Sequence, residues 1–322
     1  MRALLRRLCL AVVTGYIFVY YSEYAFWARP LDNVHLPDAL WLLLTYSFAA
    51  YIFLTLVVTL RVRSFATIFL AGALFGWLIE GVFVQTMYSL LPFSISLTGL
   101  SWHALITILM GWLAMQWSFR AGSWWRTLIV AAGIGAFYGL WAIWWWIDAP
   151  PATPFSDFAV YVFATTTLLA CTYWLASRLS MRQFAPTRIE IVGALLLVVV
   201  YFALVTVPSQ PLALIILPPV VLAVLLTLFK NRRTETREDI LTTLGSSGPS
   251  QPARLRDIVP VFAIPLVASA IYALAQAAHL LVPTGPVIYA VTIPAGFVLL
   301  IVSIVTIWRT KAVAHKEPLA ET

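Results

Sequence analysis

Charge is what this chain has least of. Asp, Glu, Lys and Arg together make up 10% of its 322 residues, where a soluble domain carries about a quarter, so a single water-soluble core is excluded. Cysteine is nearly absent as well. Cys9 and Cys171 both lie inside apolar runs with no CxxC spacing, which excludes a disulfide framework. Both are expected to be small buried hydrophobes. The short signatures of familiar chemistry are missing too: there is no GxSxG elbow, no HExxH, no phosphate loop and no paired Glu-Glu ahead of an Arg. The sequence therefore calls for no cofactor. It calls for no metal either, because Glu80, His103 and His279 have none of the spacings that gather ligands at one point.

What fills the chain instead is apolar sequence, 62% of it, with a mean hydropathy of +0.92. About 20 helical residues cross about 30 Å of hydrocarbon. By that measure the sequence predicts ten spans, at roughly 8–27, 39–60, 64–87, 101–119, 126–147, 157–177, 189–207, 211–229, 259–282 and 286–308. The runs are continuous rather than alternating, which favours helices over a barrel. The expected fold is an all-α, polytopic bundle of about ten transmembrane helices, forming a single transmembrane domain over 1–322.

Net charge is +7, but its placement argues against a nucleic-acid partner. Lys and Arg sit in short clusters between apolar runs, where they would face anionic headgroups of the lipid bilayer. If the gaps alternate from an inner N-terminus, nineteen of the twenty basic residues fall inside and Arg29 alone falls outside. Both termini are therefore expected to be cytoplasmic, in a multi-pass protein of the cell (cytoplasmic) membrane. The opening run continues to Trp27 with no small-x-small cleavage site, so it reads as an uncleaved first span. Tryptophans follow the same alternation: Trp27, Trp41, Trp102 and Trp144–Trp146 fall at outer ends, and Trp117, Trp124, Trp125, Trp174 and Trp308 at inner ends. Residues 230–257 form the one long connector, expected to be a flexible cytoplasmic loop with its Gly-Ser-Ser-Gly-Pro-Ser stretch. Reporter fusions at Ser247 and at the C-terminus should both read cytoplasmic. An external signal from either would overturn the ten-span topology.

Ionisable groups inside such spans cost about 3 kcal/mol or more and usually have a reason. Gly72, Gly76 and Glu80 recur every fourth residue on one face of the third span, and His103, Thr107 and Gly111 do so on the fourth. By residue count Glu80 and His103 lie at similar depth, where a carboxylate and an imidazole can act as acid and base or as a proton or cation site. In the ninth span Pro265, Ser269, Tyr272, Gln276 and His279 form a polar stripe at helical spacing, expected to line a cavity or meet a partner helix. Thr107, Tyr272, Gln276 and His279 are thus the expected substrate-binding residues, around one outward-facing cavity with Glu80 and His103. Residues 85–99 would lie over its mouth. In that connector Ser94, Ser96 and Thr98 alternate with Ile95 and Leu97, the pattern of an extended segment. Glu23, near the end of the first span with Tyr16, Tyr20 and Trp27, is expected to snorkel to the surface.

With almost no extramembrane mass and prolines at 218, 219, 260, 265 and 294, the chain suits a secondary transporter or permease for a small solute or ion. A membrane-embedded enzyme acting on a lipid or isoprenoid at the outer leaflet is the alternative, and a non-catalytic assembly or sensory protein the third reading.

Overall fold

The computed structural model describes residues 2–30, 35–120, 123–179, 184–232 and 253–314. All regular structure among them is helical. Among the described residues ten helices are long and apolar enough to cross a membrane, the architecture of a polytopic membrane protein. They are α1 (Ala3–Trp27), α2 (Leu36–Thr59), α3 (Phe65–Phe83), α4 (Ser94–Phe119), α5 (Trp124–Asp148), α6 (Phe155–Ala176), α7 (Arg188–Ser209), α8 (Ala213–Arg232), α9 (Leu255–Ala277) and α10 (Thr284–Arg309). Most of the predicted connector 230–257 lies outside the described residues. Its ends do not: 230–232 complete α8, and 255–257 begin α9.

Local chemistry sets several boundaries. Ser64 and Thr67 close a reciprocal capping box at the start of α3, and Thr187 and Glu190 do the same at α7. Helix α9 stops at Ala277 rather than at 282. His279 there turns left-handed, with φ 50°, and Leu280 donates back to the Ala275 carbonyl. Pro283 then bars continuation. His279 consequently lies just past the helix end and is not the last member of a helical stripe. At the other extreme, α4 begins at Ser94, seven residues ahead of the sequence-based start at 101. The supposed extended segment is a helical turn over Ser94–Leu97, held by the Ser94 hydroxyl on the Met87 carbonyl (2.6 Å) and the Ser101 hydroxyl on the Ser96 carbonyl (2.6 Å). The alternating hydroxyls here go to separate partners, Ser94 to Met87 and Ser96 to Ile293, instead of marking one face of a strand. The early start also places Trp102 two turns inside α4, where it is buried rather than interfacial.

Among the described residues four stretches are wound wider than an α-helix, with N–H groups reaching back five residues: Tyr20–Tyr24, Leu78–Phe83, Gly99–Ala114 and Phe202–Thr206. Such windings occur preferentially at functional sites. They contain Glu23, Glu80 and His103.

The helices gather into two compact units that are not consecutive halves of the chain. The first contains α1, α2 through Tyr51, α4 from Ile106, α5, α6, α9 and the opening of α10. The second contains α2 from Ile52, α3, α4 through Leu105, α7, α8 and α10 from Ile293. Within the first unit α5 runs along α9. A Cβ at Gly135 would come within 2.5 Å of the Ile264 carbonyl oxygen, and one at Gly139 within 2.9 Å of that of Ala268, so this approach depends on the bare backbone. In the second unit α3 is almost wholly buried, whereas α7 and most of α10 turn aliphatic side chains outward. Cys9 and Cys171 are exposed, against the expectation of burial. Lipid is as apolar as a helix interface, so an apolar neighbourhood in sequence does not distinguish the two.

Candidate functional site

The second unit builds its polar centre from the ends of α3 and α4. At Gly76, α3 meets the start of α4 without a side chain between them: a Cβ there would fall 2.1 Å from the Gly99 carbonyl oxygen. One turn further along α3 the backbone widens over Leu78–Phe83, and α4 is wide-wound from Gly99 onward. These two segments carry Glu80 and His103 into contact. The His103 Nε2 and Glu80 Oε1 atoms are 2.8 Å apart. Both residues are buried, His103 at 2% and Glu80 at 8% exposure. The Phe75 ring stands edge-on to the imidazole, at 5.6 Å between centroids.

Two hydroxyls complete the carboxylate's surroundings. Thr86 donates to Glu80 Oε2, and the Thr98 side chain also bonds the carboxyl group. Thr86 comes from the connector between α3 and α4, which folds back over Glu80, and Thr98 from the first turns of α4. The reversal is made at Gln85, a non-glycine residue at φ 70°, a backbone region that costs roughly 1–2 kcal/mol for a residue with a Cβ. A short turn at Thr86–Tyr88 follows. The Trp77 indole donates to the Ile95 carbonyl (3.0 Å), and the Ser96 hydroxyl to that of Ile293 on α10 (2.8 Å). The widened end of α3 leaves carbonyls without intrahelical donors. The Tyr88 hydroxyl satisfies Gly81 (2.7 Å) and the Thr206 hydroxyl satisfies Val82 (2.8 Å). Burial pushes the Tyr88 phenol up to about 12, so it remains a neutral donor throughout the physiological range.

No protein-family model, characterised protein or solved structure matches this chain. The chemistry must therefore be read from the site.

A carboxylate and an imidazole in direct contact can hold one shared proton or accept a second one. The hydroxyls of Thr86 and Thr98 fix the carboxyl group, and the carboxyl group in turn fixes the imidazole ring. The same arrangement orients a histidine base in hydrolytic sites.

The structure brings Glu80 and His103 together. The other residues expected around them belong to the first unit. Thr107 shares a 2.9 Å hydrogen bond with Ser22 of α1. The Tyr272 hydroxyl donates to the Thr153 carbonyl (2.7 Å), and its ring stacks on Phe158 at 4.0 Å. Gln276 and His279 are exposed. Sequence reasoning had no reason to single out Thr86 as a partner of Glu80. The only signal was its place in a connector too rich in hydroxyls and apolar side chains to be an ordinary solvated loop.

Proposed function

We propose that this protein is a secondary transporter of the cytoplasmic membrane, moving a small solute or ion, and that the Glu80–His103 pair is its proton-handling site. The observation that carries the reading is the buried 2.8 Å contact between the two groups. An apolar helix pair can be held together by Gln or Ser at lower cost, whereas a titratable pair inside hydrocarbon is expensive unless its charge is used. Two further features support it. Helices of the same unit carry prolines within their spans, Pro218 and Pro219 in α8 and Pro294 in α10. Both members of the pair also sit on widened backbone, the kind of irregularity that transporters place around bound ions. In this reading Thr107, Tyr272, Gln276 and His279 contribute to the solute path, an assignment that rests on their spacing in the sequence.

The test uses proteoliposomes containing a pH-sensitive dye, challenged with a panel of solutes. Solute-dependent proton movement is expected from the wild type. Glu80→Gln, which keeps the shape and removes the titratable carboxyl, should lose at least about 90% of that flux while remaining folded, in line with the loss of an essential proton carrier. Undiminished flux in Glu80→Gln would return the carboxyl to a purely structural role. The second reading, chemistry on a lipid at the outer leaflet, draws on the way the Glu80 carboxylate orients His103. It predicts turnover of a lipid with no net proton movement across the bilayer.

A further inference from the structure

A second carboxylate, Glu23 on α1, has surroundings that snorkelling does not explain. Its Oε1 accepts the Tyr46 hydroxyl at 2.6 Å and its Oε2 the Trp27 indole N–H at 3.1 Å. Tyr24 and Tyr161 are close enough to interact electrostatically with it. The Tyr24 ring meets Tyr16 edge-to-face at 6.1 Å between centroids and Tyr161 at 6.3 Å. All these residues belong to the first unit, so the group is built within one compact body.

The aromatic walls are fixed in place. The Tyr16 hydroxyl donates to the Thr165 carbonyl (3.1 Å) and the Tyr161 hydroxyl to that of Tyr24 (3.3 Å), while Tyr46 and Trp27 are held by Glu23 itself. Rings immobilised in advance do not lose rotamer freedom when a ligand arrives. Tyr46 is buried, but Glu23, Tyr16, Tyr24, Trp27 and Tyr161 are each half-buried, so the group is partly exposed rather than sealed. Trp27 also stacks on Trp145 at 5.1 Å, and the Arg29 guanidinium lies 5.5 Å from the centre of the Trp145 ring. A cation thus already rests on the outer wall of this aromatic group.

A carboxylate set among phenol and indole rings combines a negative charge with aromatic surroundings. That combination favours a cation too large and too weakly hydrated to prefer water, and disfavours anions and neutral sugars. From this geometry we infer that the Glu23 recess is a binding site for an organic ammonium ion, with the carboxylate countering its charge and Tyr24, Trp27 and Tyr161 offering it aromatic faces. The inference stands apart from proton handling at Glu80.

Purified protein in detergent, unfolded by heat and followed by tryptophan fluorescence, supplies the test. The probe is tetramethylammonium chloride, against sodium chloride at equal ionic strength. A saturable rise in Tm with tetramethylammonium alone is expected for the wild type. Glu23→Gln should abolish it. Tyr24→Leu, which keeps the bulk but removes one ring face, should weaken apparent binding by about tenfold, and it decides the matter if Glu23→Gln fails to fold. Glu80→Gln should bind as the wild type does, so this site and the proposed proton site fail independently. No saturable shift in the wild type, an equal shift with sodium, or unchanged binding in Glu23→Gln or in Tyr24→Leu would each overturn the assignment.

Discussion

Replacing His103 with leucine is expected to destabilise the protein by about 3–5 kcal/mol, the cost of stranding one member of a buried ion pair. Glu80 would keep its two threonine hydroxyls but lose the 2.8 Å imidazole contact, in a place where only 8% of its surface is exposed. Glu80→Leu should also destabilise, because it leaves the buried His103 ring nitrogen without its 2.8 Å partner. The decisive measurement is the double variant. With both groups replaced by apolar side chains no charge is stranded, so Glu80→Leu/His103→Leu should lose at least about 2 kcal/mol less than the two single losses combined. Unfolding in a graded series of denaturing detergent reads all three. Strictly additive losses would mean that the two side chains do not interact in the folded protein.

The second large effect is expected at Gly76. An alanine there places its Cβ 2.1 Å from the Gly99 carbonyl oxygen, and backbone cannot rotate away as a side chain does. The helices must separate, at a cost of about 1–3 kcal/mol or more for overpacking. Glu80 lies one turn beyond, so the same separation should loosen its contact with His103. Gly76→Ala is therefore expected to lower both Tm and solute-dependent proton flux. Gly133→Ala in α5 is the control: nothing lies within 4 Å of its added Cβ, and its stability should change by no more than about 1 kcal/mol. If the two variants behaved alike, close backbone approach at Gly76 would not be what positions the pair.

Much of the fold is legible in the sequence because hydropathy reports a one-dimensional property. Ten apolar runs of the right length correspond to ten helices among the described residues, the form in which most backbone hydrogen bonds are made within the segment itself. The ends are less legible. Ser94–Leu97 alternates as a strand would, yet it forms a helical turn whose first hydroxyl bonds the Met87 carbonyl, and His279 falls past the end of α9 because a left-handed turn and Pro283 intervene. Those outcomes depend on hydrogen bonds between particular atoms, which a hydrophobic pattern does not encode.

Glu80 and His103 could be singled out from sequence alone, because a charged group inside an apolar span stands out against its neighbours. Their contact could not. It requires the bare backbone of Gly76 against Gly99, two widened helical segments, and a connector that turns back to bring Thr86 onto the carboxylate beside Thr98 of α4. The same limit hid the aromatic surroundings of Glu23, whose partners are spread over α1, α2 and α6. Composition and periodicity determined the ten helices of the described residues that are long and apolar enough to cross a membrane, and which ionisable groups lie within them. Tertiary structure alone decided which of those groups meet. Lipid and protein interior are equally apolar to a sequence, and only packing distinguishes a face turned outward from one pressed against another helix.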